Sequence, residues 1–443
     1  MYYKDSGRRS RRIIMRKMNM TRVISVFLLA TMLACMTAGC AESGNKNKNK
    51  NEEVKIPMVL TVNPSTGKKN EEKVVRQFNK DYDGQWEVEV SWIVETEEEY
   101  RQNLKRLNVT DTLPAVITDL RLLPSFYHLM IQDGRIENLS DDIQNDQEWK
   151  EMIEPVVLES CTEPDGSVYL APLSTAAFAC SGIFWNEELF AQAGINSFPT
   201  TWEEFWECCE QLSAHGITPL ALHTEGTAWA TMLMTTAALA DTPGGSEFMK
   251  QLYPDSYQNE SGLYMAETIK KMFHYTTDNA LYADFDVAYE NFFSGNAAMI
   301  PNGYWMLEQI PEDCEEKVRF SAFPGNRLIC SPETFGWAVV SDYSDEVKQG
   351  AMEFLKFRTK LNKEEKESLM ATDEAEMVKA KKDYISAYQA NPQLIPNYQV
   401  KWNSILQETT LGEAIPQLVT GKITSEEFTE MEDESVSQLN EEY

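Results

Sequence analysis

An α/β fold in two domains is what this sequence predicts, and three observations predict it. The chain has 443 residues, more than one ordinary hydrophobic core serves. Hydrophobic residues make up 42%, with only 21 Gly and 18 Pro, which is the composition of a packed chain and not of a disordered one. Beyond residue 53, short apolar or alternating segments take turns with segments of helical period. That is the pattern of strands joined by helical crossovers, and hence of sheets flanked by helices.

The elements follow in order. Residues 54–62 read as an apolar strand and 64–67 as a loop. Asn70 is positioned to cap a helix that buries Val74, Phe78 and Tyr82 at fourfold spacing. Trp86, Val88, Val90 and Trp92 then alternate with Glu87, Glu89 and Ser91, the signature of a half-buried strand. Residues 114–118 form another short strand, so strand, helix, strand suggests parallel pairing. After Pro199, Thr201-Trp202-Glu203-Glu204 fits a capping box, with Trp202, Phe205, Trp206, Cys209 and Leu212 on one helix face. Gly216 ends that helix and 217–222 reads as the next strand. Residues 335–341 are a strand, and Ser344 opens a helix with Val347, Ala351, Phe354 and Leu355 facing a core. The last eighty residues read as mainly helical and acidic.

The first forty residues differ from all of this. Eight basic residues and one acid occupy positions 1–22, followed by an apolar run over 23–34. The run is too short for a helix that crosses a bilayer, which takes about 20 residues. A basic start, a short apolar stretch and small residues before a cleavage point describe a secretory signal over residues 1–39. Thr37-Ala38-Gly39-Cys40 resembles the lipobox of bacterial lipoproteins, with Thr37 where Leu is usual. The resemblance implies cleavage before Cys40 and its lipidation, which would hold the chain on the extracytoplasmic face of the cell membrane. Residues 41–53 are polar and low in complexity, so 40–53 reads as a lipidated flexible tether. Ser10-Arg11-Arg12 opens a match to the twin-arginine export motif, and Met15, Met18 or Met20 would serve equally well as the start.

Composition also excludes function classes. Forty basic against 70 acidic residues give a net charge of -30, a field that repels phosphate backbones and argues against nucleic acid as a partner. The four histidines (His128, His215, His223, His274) show no metal-ligand spacing, and there is no HExxH, Walker loop, GxGxxG or nucleophile elbow. No cofactor, metal or catalytic residue is therefore expected. Six cysteines remain beside the leader: Cys161, Cys180, Cys208, Cys209, Cys314 and Cys330. In an exported chain they allow 15 disulfide pairings, with free buried thiols as the competing reading.

Several segments share an order and spacing with one family. Pro114-Ala115-Val116-Ile117-Thr118-Asp119, with Gly134 to Leu139 downstream, matches its first-lobe strand, with Ala115 in place of the usual Asp. Asp165-Gly166-Ser167-Val168-Tyr169-Leu170-Ala171-Pro172 matches its turn. Ile183-Phe184-Trp185-Asn186-Glu187-Glu188-Leu189-Phe190, Pro199-Thr200-Thr201-Trp202, and Phe293-Ser294-Gly295-Asn296-Ala297-Ala298-Met299 before Asn302-Gly303-Tyr304-Trp305 match further signatures. On these the chain resembles the extracellular solute-binding proteins of family 1, the maltose-binding type that serves bacterial ABC importers.

The resemblance implies a two-lobed periplasmic-binding-protein-like fold of type II, each lobe a mainly parallel sheet flanked by helices, with the ligand cleft between. It places hinges near Ala171-Pro172, near Phe323-Pro324 and after Thr359. Lobe 1 would hold 54–171 with 325–362, and lobe 2 would hold 172–324 with 363–443. It also implies a monomer that captures a sugar or oligosaccharide and delivers it to a membrane permease, without enzymatic action.

A sugar offers a flat apolar face and a rim of hydroxyls, so its site needs aromatic plates and polar side chains. The resemblance implies as plates Trp305, beside Asn302 and Tyr304, and Trp229, after Glu225, while Asp119 is a polar candidate at a strand end where cleft residues sit. Phe335, Trp337 and Trp402 are further candidates. A peptide, polyamine or other small solute on the same fold stays open as an alternative. So do a secreted glycoside-processing enzyme and a surface adhesin or sensor.

Overall fold

The computed structural model describes residues 53–61, 67–93, 97–118, 124–163, 165–171, 180–225, 228–250, 254–330, 337–371, 377–396, 406 and 410–441. The leader, Cys40, the tether up to residue 52, and the candidates Asp119, Phe335 and Trp402 lie outside these. The strands are Val54–Thr61 (β1), Trp86–Ile93 (β2), Val116–Thr118 (β3), Cys180–Asn186 (β4), Met299–Gly303 (β5), Val318–Ser321 (β6), Arg327–Cys330 (β7), Trp337–Val339 (β8) and Gln393–Pro396 (β9). The helices used below are Gly67–Asp81 (α1), Trp202–Ala214 (α2), Trp229–Leu239 (α3), Phe285–Phe293 (α4), Asp345–Met370 (α5) and Ser425–Glu441 (α6).

Two sheets result. The first has the order β2-β1-β3-β8. β1 pairs parallel with β2 and β3, and β8 runs antiparallel to β3. The second has the order β5-β4-β7-β9, with β6 also on β4. Here β4 is antiparallel to β5, β6 and β7, while β9 is parallel to β7. The first sheet is thus mainly parallel, as expected, whereas in the second the reversed strand β4 lies at the centre and makes three of its four pairings antiparallel.

The first sheet is built as its alternation predicts. Trp86 and Val88 are buried and Glu89 is exposed. A one-residue slip of this register would turn the apolar set to solvent, which is what pins it. Helix α1 opens at Gly67 and not at Asn70; Asn70 lies inside its first turn because Lys68 and Lys69 are strong helix formers with nothing to stop them. Val74, Phe78 and Tyr82 still face the core, with Val75 added. The Phe78 and Tyr82 rings stack at 4.5 Å, and Phe354 of α5 meets Phe78 edge-on at 5.1 Å.

Helix α2 carries the expected capping box. The Thr201 hydroxyl accepts from the Glu204 N–H at 3.2 Å, and the Glu204 carboxylate accepts from the N–H groups of Thr200 and Thr201. Those hydrogen bonds hold the Glu204 carboxyl below its usual range. Trp202, Phe205, Cys209 and Leu212 are buried, and Cys208 joins them. All six described cysteines are free thiols, and burial pushes Cys208 up to about 12.

Three expectations change. The stretch 217–222 makes only an isolated bridge at Leu220 to Thr276 and Met299. Thr218 and Pro219 accept from Ala298 and Met299, but Pro219 has no N–H to continue a ladder. The turn at Phe323-Pro324 does not lead to the other sheet. Gly325 (φ +82) and Asn326 (φ 54) fold it into a tight hairpin, and β7 then pairs with β4. The passage between sheets therefore falls between Cys330 and Trp337, later than 324. The described part of the last eighty residues is mainly helical, as expected, with one short strand, β9, set off by Asn391 at φ 53 ahead of Pro392. Lastly, α5 runs unbroken through Thr359 and residue 362 to Met370. Its first half fills the first core through Ala351, Phe354 and Leu355, and Met370 packs against the cluster of the second sheet that holds Phe184, Phe320 and Tyr384. Near that far end Lys366 donates to Glu154 at 2.5 Å and to Tyr388 at 3.0 Å. Burial alone would lower the Lys366 pKa; the bonds to Glu154 and Tyr388 outweigh it and hold it above the ordinary lysine value.

Candidate functional site

The segment that matters is the exit of β5. Its pairing with β4 sets Gly182 opposite Asn302 and Ser181 opposite Gly303. Asn302 is fully buried, and its Oδ1 accepts from the Gly303 N–H at 2.7 Å, which fixes the backbone where the strand ends. The chain then turns into a 3-10 segment, Tyr304–Gln309. This turn brings the Trp305 ring back over Gly303, so close that a Cβ on Gly303 would overlap its six-membered ring. Only glycine leaves that space, so Gly303 serves here as a seat for the indole.

Trp305 is 38% exposed, whereas Trp86, Trp149, Trp185, Trp202 and Trp337 are buried. Its indole therefore keeps an open face, where those five pack into the cores. Trp229, the first residue of α3, lies beside it with ring centroids 6.0 Å apart at 60°. Phe285 at the start of α4 backs Trp229 at 5.6 Å, and His223 meets both rings, at 5.6 Å and 5.9 Å. Tyr289 lies 4.3 Å from Phe285, and burial holds its phenol far above the ordinary value, so it stays protonated. Helix starts and a strand end thus supply an aromatic wall whose outer member is open.

The remaining candidates are spread. Tyr304 is half-buried, 5.4 Å from Tyr384. Glu225 is exposed near the wall, its N–H donating to the Ala283 carbonyl. Trp337 is 2% exposed in the first core, with the Arg358 guanidinium 4.5 Å over its ring. The structure therefore brings Trp305, Trp229 and Asn302 together and sets Trp337 inside the first sheet's packing. Phe285, Tyr289 and His223 are residues of the wall that periodicity did not single out. The pattern Phe285-x-x-x-Tyr289 on one helix face was their only signal. Among the described residues no group of His, Cys, Asp or Glu is placed to hold a metal, and no helix is long and apolar enough to cross a membrane.

Two sheets in these orders, flanked by helices, have the architecture of the type II periplasmic-binding fold. The chain belongs to the bacterial extracellular solute-binding proteins, whose family model matches residues 73–406. A multiple sugar-binding protein of Streptococcus mutans is 28% identical over 173 residues, 36% of this chain. That match spans 39% of the relative's own length. Among solved structures, a chitin oligosaccharide binding protein superposes with a TM-score of 0.66 at 22% identity, over 88% of this chain and 99% of that one. The sugar-binding protein MalE from Xanthomonas citri gives 0.64 at 13% identity, over 87% and 97%. A Streptococcus pneumoniae solute-binding protein solved with the blood group A-trisaccharide gives 0.63 at 16%, over 87% and 100%.

Proposed function

We propose that this protein captures a sugar or oligosaccharide outside the cell and hands it to the membrane permease of an ABC importer. One observation supports this above the others: an exposed Trp305 seated on Gly303, with Trp229 beside it. An open indole face gives a pyranose ring its apolar platform. The relatives named above for sugars point the same way. In this reading the two sheets belong to two lobes that close on the ligand by a hinge. Cys40 is lipidated and the residues after it tether the lobes to the membrane face. The protein acts as a monomer and makes or breaks no covalent bond.

Thermal shift of the mature chain against chito-, xylo-, malto- and galacto-oligosaccharides tests the ligand class. A glycan at 100 times its dissociation constant stabilises by about 2.7 kcal/mol, a shift of a few degrees in a chain of this size. A flat response to every glycan, with a shift on peptides or polyamines, would overturn the carbohydrate assignment. Gly303→Ala provides a second check. The added methyl is expected to push Trp305 off its seat, weaken glycan affinity by about tenfold and alter tryptophan fluorescence. Unchanged affinity and spectrum would show that the seat is immaterial.

A further inference from the structure

Buried polar side chains nearly always have a hydrogen-bond partner, and each exception asks for a reason. Two hydroxyls at matching places in the two sheets are such exceptions. Ser181 Oγ lies near the start of β4 and Thr118 Oγ1 closes β3; the residues are 1% and 2% exposed, and neither oxygen has a partner. Both sit where their sheet meets a connecting segment: Thr118 is the last residue of its strand and Ser181 the second of its own.

Ser181 stands directly opposite Gly303 on the antiparallel neighbour. Residues so paired project to the same face with Cβ positions about 5 Å apart. On that face the place of a Gly303 side chain is filled by the Trp305 ring, so the unpartnered hydroxyl adjoins the indole. Thr118 ends a strand of the first sheet at its carboxyl end, the side on which open α/β sheets take their ligands. Its backbone is already held, since its N–H donates to the Tyr100 hydroxyl at 3.3 Å. Only the side-chain oxygen is left over.

We infer that Ser181 and Thr118 are specificity-determining residues, one from each sheet, whose hydroxyls bond the hydroxyl groups of the carbohydrate. The inference rests on the carbohydrate reading above. A hydroxyl can donate and accept at once, which suits a partner that is itself a hydroxyl and discriminates poorly for a carboxylate or an ammonium group. Leaving the two oxygens unpartnered costs the protein stability; the ligand recovers that cost when it supplies the bonds.

The experiment compares Ser181→Ala and Thr118→Val with the wild-type mature chain, by calorimetric titration with the glycan of the same panel that binds it most tightly. Each variant is expected to bind about tenfold more weakly, while its melting temperature without glycan stays level or rises. Deoxy analogues of the glycan should lose affinity for the wild type and lose less for one of the variants. Affinities within twofold of wild type for both variants would overturn the inference and leave the carbohydrate reading standing. A lower melting temperature for both would assign the hydroxyls to the fold and overturn it too. A wild-type protein that binds no glycan of the panel would overturn both readings together.

Discussion

Trp305→Ala is expected to reduce glycan affinity by about 100-fold and to leave the fold intact. The size follows from what the indole supplies. A well-placed aromatic anchor contributes about 2–3 kcal/mol to binding, and each 1.4 kcal/mol is a factor of ten. The fold is spared because Trp305 packs on Gly303 and Trp229 with 38% of its surface open, outside the cores that fill the sheets. Trp305→Phe keeps a flat apolar plate and should recover most of the loss, whereas Trp305→Leu keeps only the apolarity. Calorimetry and circular dichroism on the three variants separate these terms. Undiminished binding by the alanine variant would remove the indole from the site.

Glu432→Gln is expected to stabilise the protein near neutral pH by on the order of 2 kcal/mol and to flatten its pH dependence. Glu432 lies on α6 beside buried Phe428 and Val436, with both carboxylate oxygens buried and unpartnered. Its neighbour Asp433 is well served, accepting from Ser256 at 2.7 Å and from the Tyr257 N–H. Burial first, and the adjacent Asp433 second, raise the Glu432 pKa well above 4.5. The sign follows from linkage. In the window above 4.5 the unfolded chain has lost this proton while the folded chain keeps it, so stability falls as pH rises toward the raised value. Glutamine has no proton to lose, and the variant should gain most at pH 7–8 and little at pH 4. Melting temperatures across that range check it. A variant less stable than wild type at pH 8 would mean that the carboxylate is ionised and paired.

Local order was legible where a single physical rule dominates. Alternation at Trp86, Val88 and Val90 marked β2, and the Thr201–Glu204 box marked the start of α2, because each is decided within a few residues. The site was legible in part: Asn302-Gly303-Tyr304-Trp305 stood out as a motif, and Trp229 as an aromatic near a helix start. What stayed hidden depends on partners distant in sequence. Ser181 is ordinary until β5 sets Gly303 opposite it, and Thr118 until its oxygen is found without a bond. The hairpin after Phe323 turned on backbone geometry at Gly325 and Asn326, and the lost strand at 217–222 on one missing N–H. The unbroken α5 shows the same limit, since an amphipathic pattern does not say which of two cores its far end will reach.

That helix has a mechanical side. From Thr359 to Met370 it extends about 16 Å at 1.5 Å per residue, an arm rooted in one core with its tip against the other. A swing of about 10° at its root would carry the tip about 3 Å, on that same helical rise. Lys366, part-way along, reaches Glu154 across only 2.5 Å. A helical arm of this length amplifies small rotations, and the Lys366–Glu154 contact ties its far half to the residue that precedes Pro155.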